Sequence, residues 1–167
     1  MRRTPGNLLL LSLSLLAVSS CYGFAGGGLP QGIRTVAVLP FDNLTPEPTL
    51  TQEVQTAVRN AVQGRLGLRQ AGEQSADAIV RGSIQRYEPD LPVAYQGGQN
   101  NQVDVTRRLV QITVNVEITN QRTGKILYQR SALTLQGDYA TGQEPSGRQK
   151  AYDQLVTNIV EGAQSQW

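Results

Sequence analysis

The sequence predicts an α+β fold, a two-layer α/β sandwich in which two helices cover one face of a four-stranded mixed sheet, in the order β-α-β-β-β-α. Three observations carry this. Val110, Ile112, Val114, Val116 and Ile118 alternate with Gln111, Thr113, Asn115, Glu117 and Thr119, a strand with one apolar and one wholly polar face. Leu50, Val54, Ala57, Val58, Ala61, Val62 and Leu66 recur at helical steps, as do Tyr152, Leu155, Val156, Ile159, Val160 and Ala163. Ile33 to Phe41 is apolar at nearly every position, which marks a strand covered on both faces.

In chain order, Pro40 should end the hydrogen-bond ladder of the first strand. Thr49 with Gln52, three residues on, makes a capping box that starts the first helix, and Gly67 is its plausible stop. Asp77 to Tyr87 places Ala78, Val80, Gly82 and Ile84 on one face, with Arg81, Ser83 and Gln85 on the other. Glu88 to Gln102 collects Pro, Gly, Gln and Asn and reads as a long loop. After the alternating third strand, Asn120 to Gly124 makes a tight turn, and Lys125 to Leu135 returns antiparallel. The core face of this last strand holds Ile126 and Tyr128, or else Leu127 and Leu133; a bulge at Gly124 would decide which. Gln136 to Pro145 reads as a second loop, and Ser146 with Gln149 as a second capping box. A right-handed crossover makes the first two strands parallel, and the meander after them is antiparallel. Both helices must share one face, because the middle strands have only one apolar face to bury.

The amino end carries an address. Arg2 and Arg3 form a positive start, Leu8 to Val18 an apolar run, and small residues then lead to Cys21, the pattern of a secretory signal. The run is shorter than the roughly 20 apolar residues of a bilayer span. Val18-Ser19-Ser20-Cys21 resembles the bacterial lipobox, and this implies that Cys21 receives diacylglycerol and an N-acyl chain and becomes the first mature residue. Three acyl chains exceed what stable anchoring needs. Tyr22 stands where an aspartate would signal retention at the inner membrane, so the expected address is the periplasm-facing leaflet of the outer membrane. Residues 1–20 are thus expected to be a lipoprotein signal peptide, 21–32 a lipidated tether and 33–167 a single domain.

Composition narrows the chemistry. Lys+Arg 15 stand against Asp+Glu 13, and loss of Arg2 and Arg3 with the signal would balance the mature chain. Without a basic excess it lacks the electrostatic footprint of a nucleic-acid binder. There is no histidine, and the single cysteine is assigned to lipid, so the common general base, metal ligand and thiol nucleophile are missing. Asp42, Glu47, Asp77 and Glu88 would do acid–base work only by converging in a cleft. Thr123-Gly124-Lys125 ends like a phosphate loop but has Thr119 in place of its leading glycine, and reads as a turn. No catalytic site, metal or cofactor is expected beyond the lipid on Cys21. The basic clusters are Arg107 with Arg108 at the start of the third strand, and Arg122 with Lys125 beyond its end. They either solvate the strand ends and block edge pairing, or bind the phosphates of an anionic glycolipid.

The lipobox, Tyr22-Gly23-Phe24, the segment from Leu29 to Val38, the Phe41-Asp42-Asn43-Leu44-Thr45 turn, Ala76 to Gly82 and Thr123 to Tyr128 together resemble the LptE family of lipopolysaccharide-assembly lipoproteins. The resemblance covers nearly the whole mature chain. It implies an α/β sandwich that plugs the barrel LptD, assists its assembly and binds lipopolysaccharide, for which Arg107, Arg108, Arg122 and Lys125 are the candidates. The alternative is a lipoprotein regulator of a peptidoglycan synthase or other envelope complex, similar to penicillin-binding-protein activators or curli-secretion lipoproteins, which share the apolar strand and turn. Such regulators carry a long reach segment, whereas here only Tyr22 to Gln31 is available.

Overall fold

The computed structural model describes residues 29–30, 32–97 and 103–165. The signal peptide, Cys21 and most of the tether therefore lie outside the described residues. The elements are β1 (Thr35–Val38), β2 (Asp42–Asn43), α1 (Thr49–Gly64), β3 (Arg69–Gln70), one turn of 3-10 helix (Glu73–Ser75), β4 (Ala78–Gly97), β5 (Val103–Asn120), β6 (Ile126–Ala140) and α2 (Glu144–Gln164).

The α+β class holds, but the sheet has six strands rather than four. Its order is β3-β1-β4-β5-β6, with β2 also paired to β4. The two additional strands have local causes. Pro40 lies between β1 and β2, so the first apolar segment meets β4 twice, at Val36–Val38 and again at Asp42–Asn43. The connection after α1 turns back through Gly67, whose φ is 67°, and lays Arg69 and Gln70 along β1. β1 is parallel to β3 and β4, while β4, β5 and β6 form the antiparallel meander.

Both expected loops are largely strand. β4 continues through Glu88 to Gly97 against Val103 to Gln111, and β6 runs on to Ala140. Alternation at Leu91, Val93, Tyr95, Val103 and Val105 was the signal, hidden by Pro89 and Pro92. Those prolines are tolerated because, among the described residues, β4 has no neighbour on its other side beyond Ile84, and an open edge needs no N–H there. The ladder adapts to them with irregularities between Glu88 and Leu91 and between Pro92 and Ala94. The result is a hairpin arm that extends past the last β5–β6 pair, Arg107 with Ala140.

Neither capping box forms. α1 is capped by Pro48 without a side-chain bond, and Thr49 instead donates its hydroxyl to Glu47 Oε1 at 2.6 Å. α2 begins earlier than expected, with Pro145 in its first turn, and Ser146 donates to the Gln143 carbonyl. Both helices nonetheless cover one face, as the one-sided strands require. Leu50, Val54, Val58 and Val62 of α1 and Leu155, Ile159 and Ala163 of α2 are buried against Val110, Ile112, Val114, Val116 and Ile118. Each of the valines, leucines and isoleucines among them contributes about 1.5–3 kcal/mol of transfer free energy.

The open question on β6 is decided by two bulges, which lie at Leu127 and at Ser131–Ala132 and not at Gly124 as expected. An extra residue between the Ile118 and Thr119 pairings turns both Leu127 and Tyr128 inward, and leaves Ile126 46% exposed. A second irregularity opposite Asn115 holds Ala132 at φ 52°, with its N–H donated to Asn115 Oδ1 at 2.8 Å. Tyr128 reaches the core with its hydroxyl buried and, among the described residues, without a hydrogen-bond partner of good geometry. We expect Tyr128→Phe to raise stability by about 1 kcal/mol, because an unsatisfied buried hydroxyl costs about that much or more. Urea unfolding of the two chains measures this, and a loss of stability would mean that the hydroxyl is satisfied.

Candidate functional site

The helices leave the outer face of the sheet uncovered. Gln111, Thr113, Asn115, Glu117 and Thr119 stand on it half-buried, flanked by Arg81, Ser83 and Gln85 of β4. Apart from Thr113, their polar groups partner one another. Gln136 donates to Gln111 Oε1 at 2.8 Å and Gln111 to Glu88 Oε2 at 3.0 Å. Asn115 and Gln85 both donate to Ser83 Oγ, at 3.3 Å and 2.6 Å, and Thr119 donates to Glu117 at 2.8 Å. A face whose amides and hydroxyls are already partnered gives up bulk water at less cost than one of bare polar groups.

The expected basic residues are not brought together. Arg107 and Arg108 lie at the root of the arm, paired with Asp138 and Asp90 respectively. Arg122 lies beyond the other end of β5, about 40 Å away along an extended strand, and pairs with Asp77 at 3.2 Å. Lys125 follows it in the β5–β6 turn, where its carbonyl accepts the Asn120 N–H and its own N–H donates to Thr123 Oγ1 at 3.3 Å. Each of the three arginines has a carboxylate partner within its own fold. The carboxylates singled out from sequence are also dispersed: Asp42 and Glu47 near the start of α1, Asp77 at the opposite end, Glu88 at the arm.

The most densely bonded polar cluster was not legible in the sequence, because its members come from three elements. Arg148 of α2, whose side chain is 15% exposed, places Nε and Nη2 on the two Glu53 oxygens of α1 at 2.9 Å and 3.2 Å, and Nη1 on Glu144 at 2.6 Å. Tyr152 donates to Glu53 at 2.6 Å, and Tyr87 of β4 donates to Glu144. Burial raises the pKa of both phenols, with the neighbouring carboxylates acting in the same direction. Burial opposes the Arg148 charge, but its hydrogen bonds to Glu53 and Tyr87 outweigh it, so the guanidinium pKa is raised. Tyr139 adds a hydrogen bond to the Pro89 carbonyl at 2.6 Å. The arm is thus fixed at its root to both helices. Beside this cluster, a groove of about 590 Å³ runs between the helices, lined by Gln52, Thr56, Asn60, Arg148 and Gln149 among others.

At the other end, Asp77 accepts from the Arg34 N–H, the Thr35 N–H and the Thr35 hydroxyl, at 3.0 Å, 3.0 Å and 2.9 Å, and so ties β1 to β4. The Arg34 N–H first, then Thr35, hold its carboxyl below the ordinary value of 3.8. Glu47 is likewise lowered from 4.5, by its bonds with Thr49. A depressed carboxylate stabilises the fold above its unfolded pKa and loses that contribution as pH falls through its folded pKa. We therefore expect stability to decline below about pH 4.5, and Asp77→Asn to flatten the decline below about pH 4. Thermal melts across pH 2–6 check this, and an unchanged profile in Asp77→Asn would refute it.

Among the described residues no group of acidic, histidine or cysteine side chains is arranged to hold a metal, and no helix is long and apolar enough to cross a membrane. A family model described as LptE, lipopolysaccharide-assembly, matches residues 33–163. No curated protein matches the chain. Among solved structures, a putative lipoprotein from Caulobacter crescentus superposes with a TM-score of 0.51 at 14% identity, covering 80% of this chain and 88% of that one. PelC from Paraburkholderia phytofirmans, a dodecamer, gives 0.47 at 17%, covering 83% and 95%. A hypothetical protein from Chlamydia trachomatis gives 0.48 at 12%, covering 78% and 98%. At these identities the likeness is one of fold alone.

Proposed function

Because the chain belongs to the LptE family, whose members are non-enzymatic lipopolysaccharide-assembly lipoproteins without a known cofactor, we propose that it is anchored in the outer membrane through lipid on Cys21 and partners an LptD-like β-barrel. In that role it plugs the barrel, assists its assembly and aids the insertion of lipopolysaccharide. The family match over residues 33–163 carries the reading. The internally satisfied polar face supports it, since the lumen of a large outer-membrane barrel is polar and wet. Arg107, Arg108, Arg122 and Lys125 remain the proposed lipopolysaccharide contacts, and engaging phosphate would require Arg107, Arg108 and Arg122 to exchange Asp138, Asp90 and Asp77 for it.

The test is purification of a tagged chain from detergent-solubilised outer membrane. A large barrel protein should co-purify in near-stoichiometric amount, and its absence would overturn the partnership. Cys21→Ser should abolish labelling by palmitate and release the chain from the membrane fraction. Retention of both would overturn the anchor.

A further inference from the structure

The end of the domain at which the chain enters is also where its uncompensated positive charge gathers. Leu29 and Ile33 pack beside Leu66 and Leu68, and Arg34 and Arg69 line the same depression, joined by the Arg69 N–H to the Arg34 carbonyl at 3.0 Å. Arg65 follows the end of α1 four residues earlier. Arg34, Arg65 and Arg69 are exposed, and none has a carboxylate partner among the described residues. Arg107, Arg108, Arg122 and Arg148 are all paired with acids. Of the remaining arginines without such a partner, Arg130 lies over the Tyr128 ring and Arg59 is half-buried on α1. Arg65 has a local reason for its place, since a cation is favoured at a helix C-terminus. Arg34 and Arg69, on strand ends, have none.

We propose that Arg34, Arg65 and Arg69 form a membrane-docking face that binds the phosphates of anionic phospholipid headgroups in the leaflet holding the anchor. The proposal rests on the lipidated reading of Cys21. From Cys21 to Gly28 is eight residues, which at full extension reach under about 30 Å. The acyl chains therefore hold this end within reach of the headgroups. Arginine suits the task because its planar fork pairs two-pronged with phosphate. Of the carboxylates at this end, Asp77 is committed to Arg122 and the β1 backbone, and Glu73, on the turn after β3, and Glu161, on the last turn of α2, form no ion pair with these arginines among the described residues.

The test uses the chain from residue 21 onward, which contains every described residue, with Cys21→Ser so that the outcome does not depend on acylation. Flotation with phosphatidylglycerol-containing vesicles should recover it at low salt, and pure phosphatidylcholine vesicles should not. At roughly five-fold for each arginine near an anionic surface, the triple variant Arg34→Gln/Arg65→Gln/Arg69→Gln should partition on the order of 100-fold less. Circular dichroism of that variant verifies that it folds. Equal binding to both vesicles, or undiminished binding by the folded triple variant, would overturn the proposal. So would binding that appears only when lipopolysaccharide is added to the vesicles, which would assign the face to the glycolipid. Failure of the anchor itself is read separately, from palmitate labelling of the unaltered chain.

Discussion

Gly137→Ala should destabilise the protein by about 3 kcal/mol, at the upper end of what overpacking a core costs. A methyl group at 137 would overlap the Gly147 carbonyl, with Lys150 Cβ at 3.0 Å. The obstacle is backbone, so no rotamer relieves it, and the first turns of α2 would have to lift off β6. Gly147→Ala meets the reciprocal obstruction, the Tyr139 ring at 2.8 Å and the Gly137 carbonyl at 2.9 Å. The pair lets strand and helix touch almost directly, and this seats Tyr139 and Arg148 at the arm root. Gly64→Ala is the control. It lies at the end of α1 with nothing within 4 Å of the new methyl group, and should stabilise by up to about 1 kcal/mol through helix propensity. Urea denaturation of the three chains decides. A loss under 1 kcal/mol in Gly137→Ala would show that the contact is loose.

Arg148→Ala is expected to cost about 2–3 kcal/mol. Removing one partner of a well-buried charge network costs about 3–5 kcal/mol, and the figure is reduced here because Glu53 and Glu144 are 33% and 37% exposed and water screens them in part. The variant leaves two carboxylates and the Tyr87 hydroxyl without their cation. Because Tyr87 belongs to β4, the loss should be felt locally as well as globally, with faster amide exchange at Arg86 to Leu91 than at Val110 to Ile118. Arg148→Met combined with Glu53→Leu should recover part of the loss by replacing charge with apolar contact. Equal exchange at both segments would mean that Arg148 joins the helices without holding the arm.

How far such a cluster can be read from sequence depends on the range of its contacts. Glu53 and Arg148 are 95 residues apart, and neither periodicity nor spacing relates them. Arg107 and Arg108 were conspicuous as neighbours, yet their carboxylates arrive from β6 and from the far side of the arm. Conversely Arg34 and Arg69 are far apart along the chain, and only the β1–β3 pairing, which sets Thr35 against Arg69, brings them to one end of the sheet.

The sequence by itself determined the α+β class, the one-sided antiparallel meander and the two helices on a single face. These follow from hydrophobic periodicity within each segment, which any packing must respect. Tertiary structure alone decided the six-stranded sheet, the arm, the inward turn of both Leu127 and Tyr128, and which arginines meet a carboxylate. A short edge strand, a proline-bearing edge or a bulge is stable only through the neighbour that completes its hydrogen bonds, and that neighbour is supplied by a distant part of the chain.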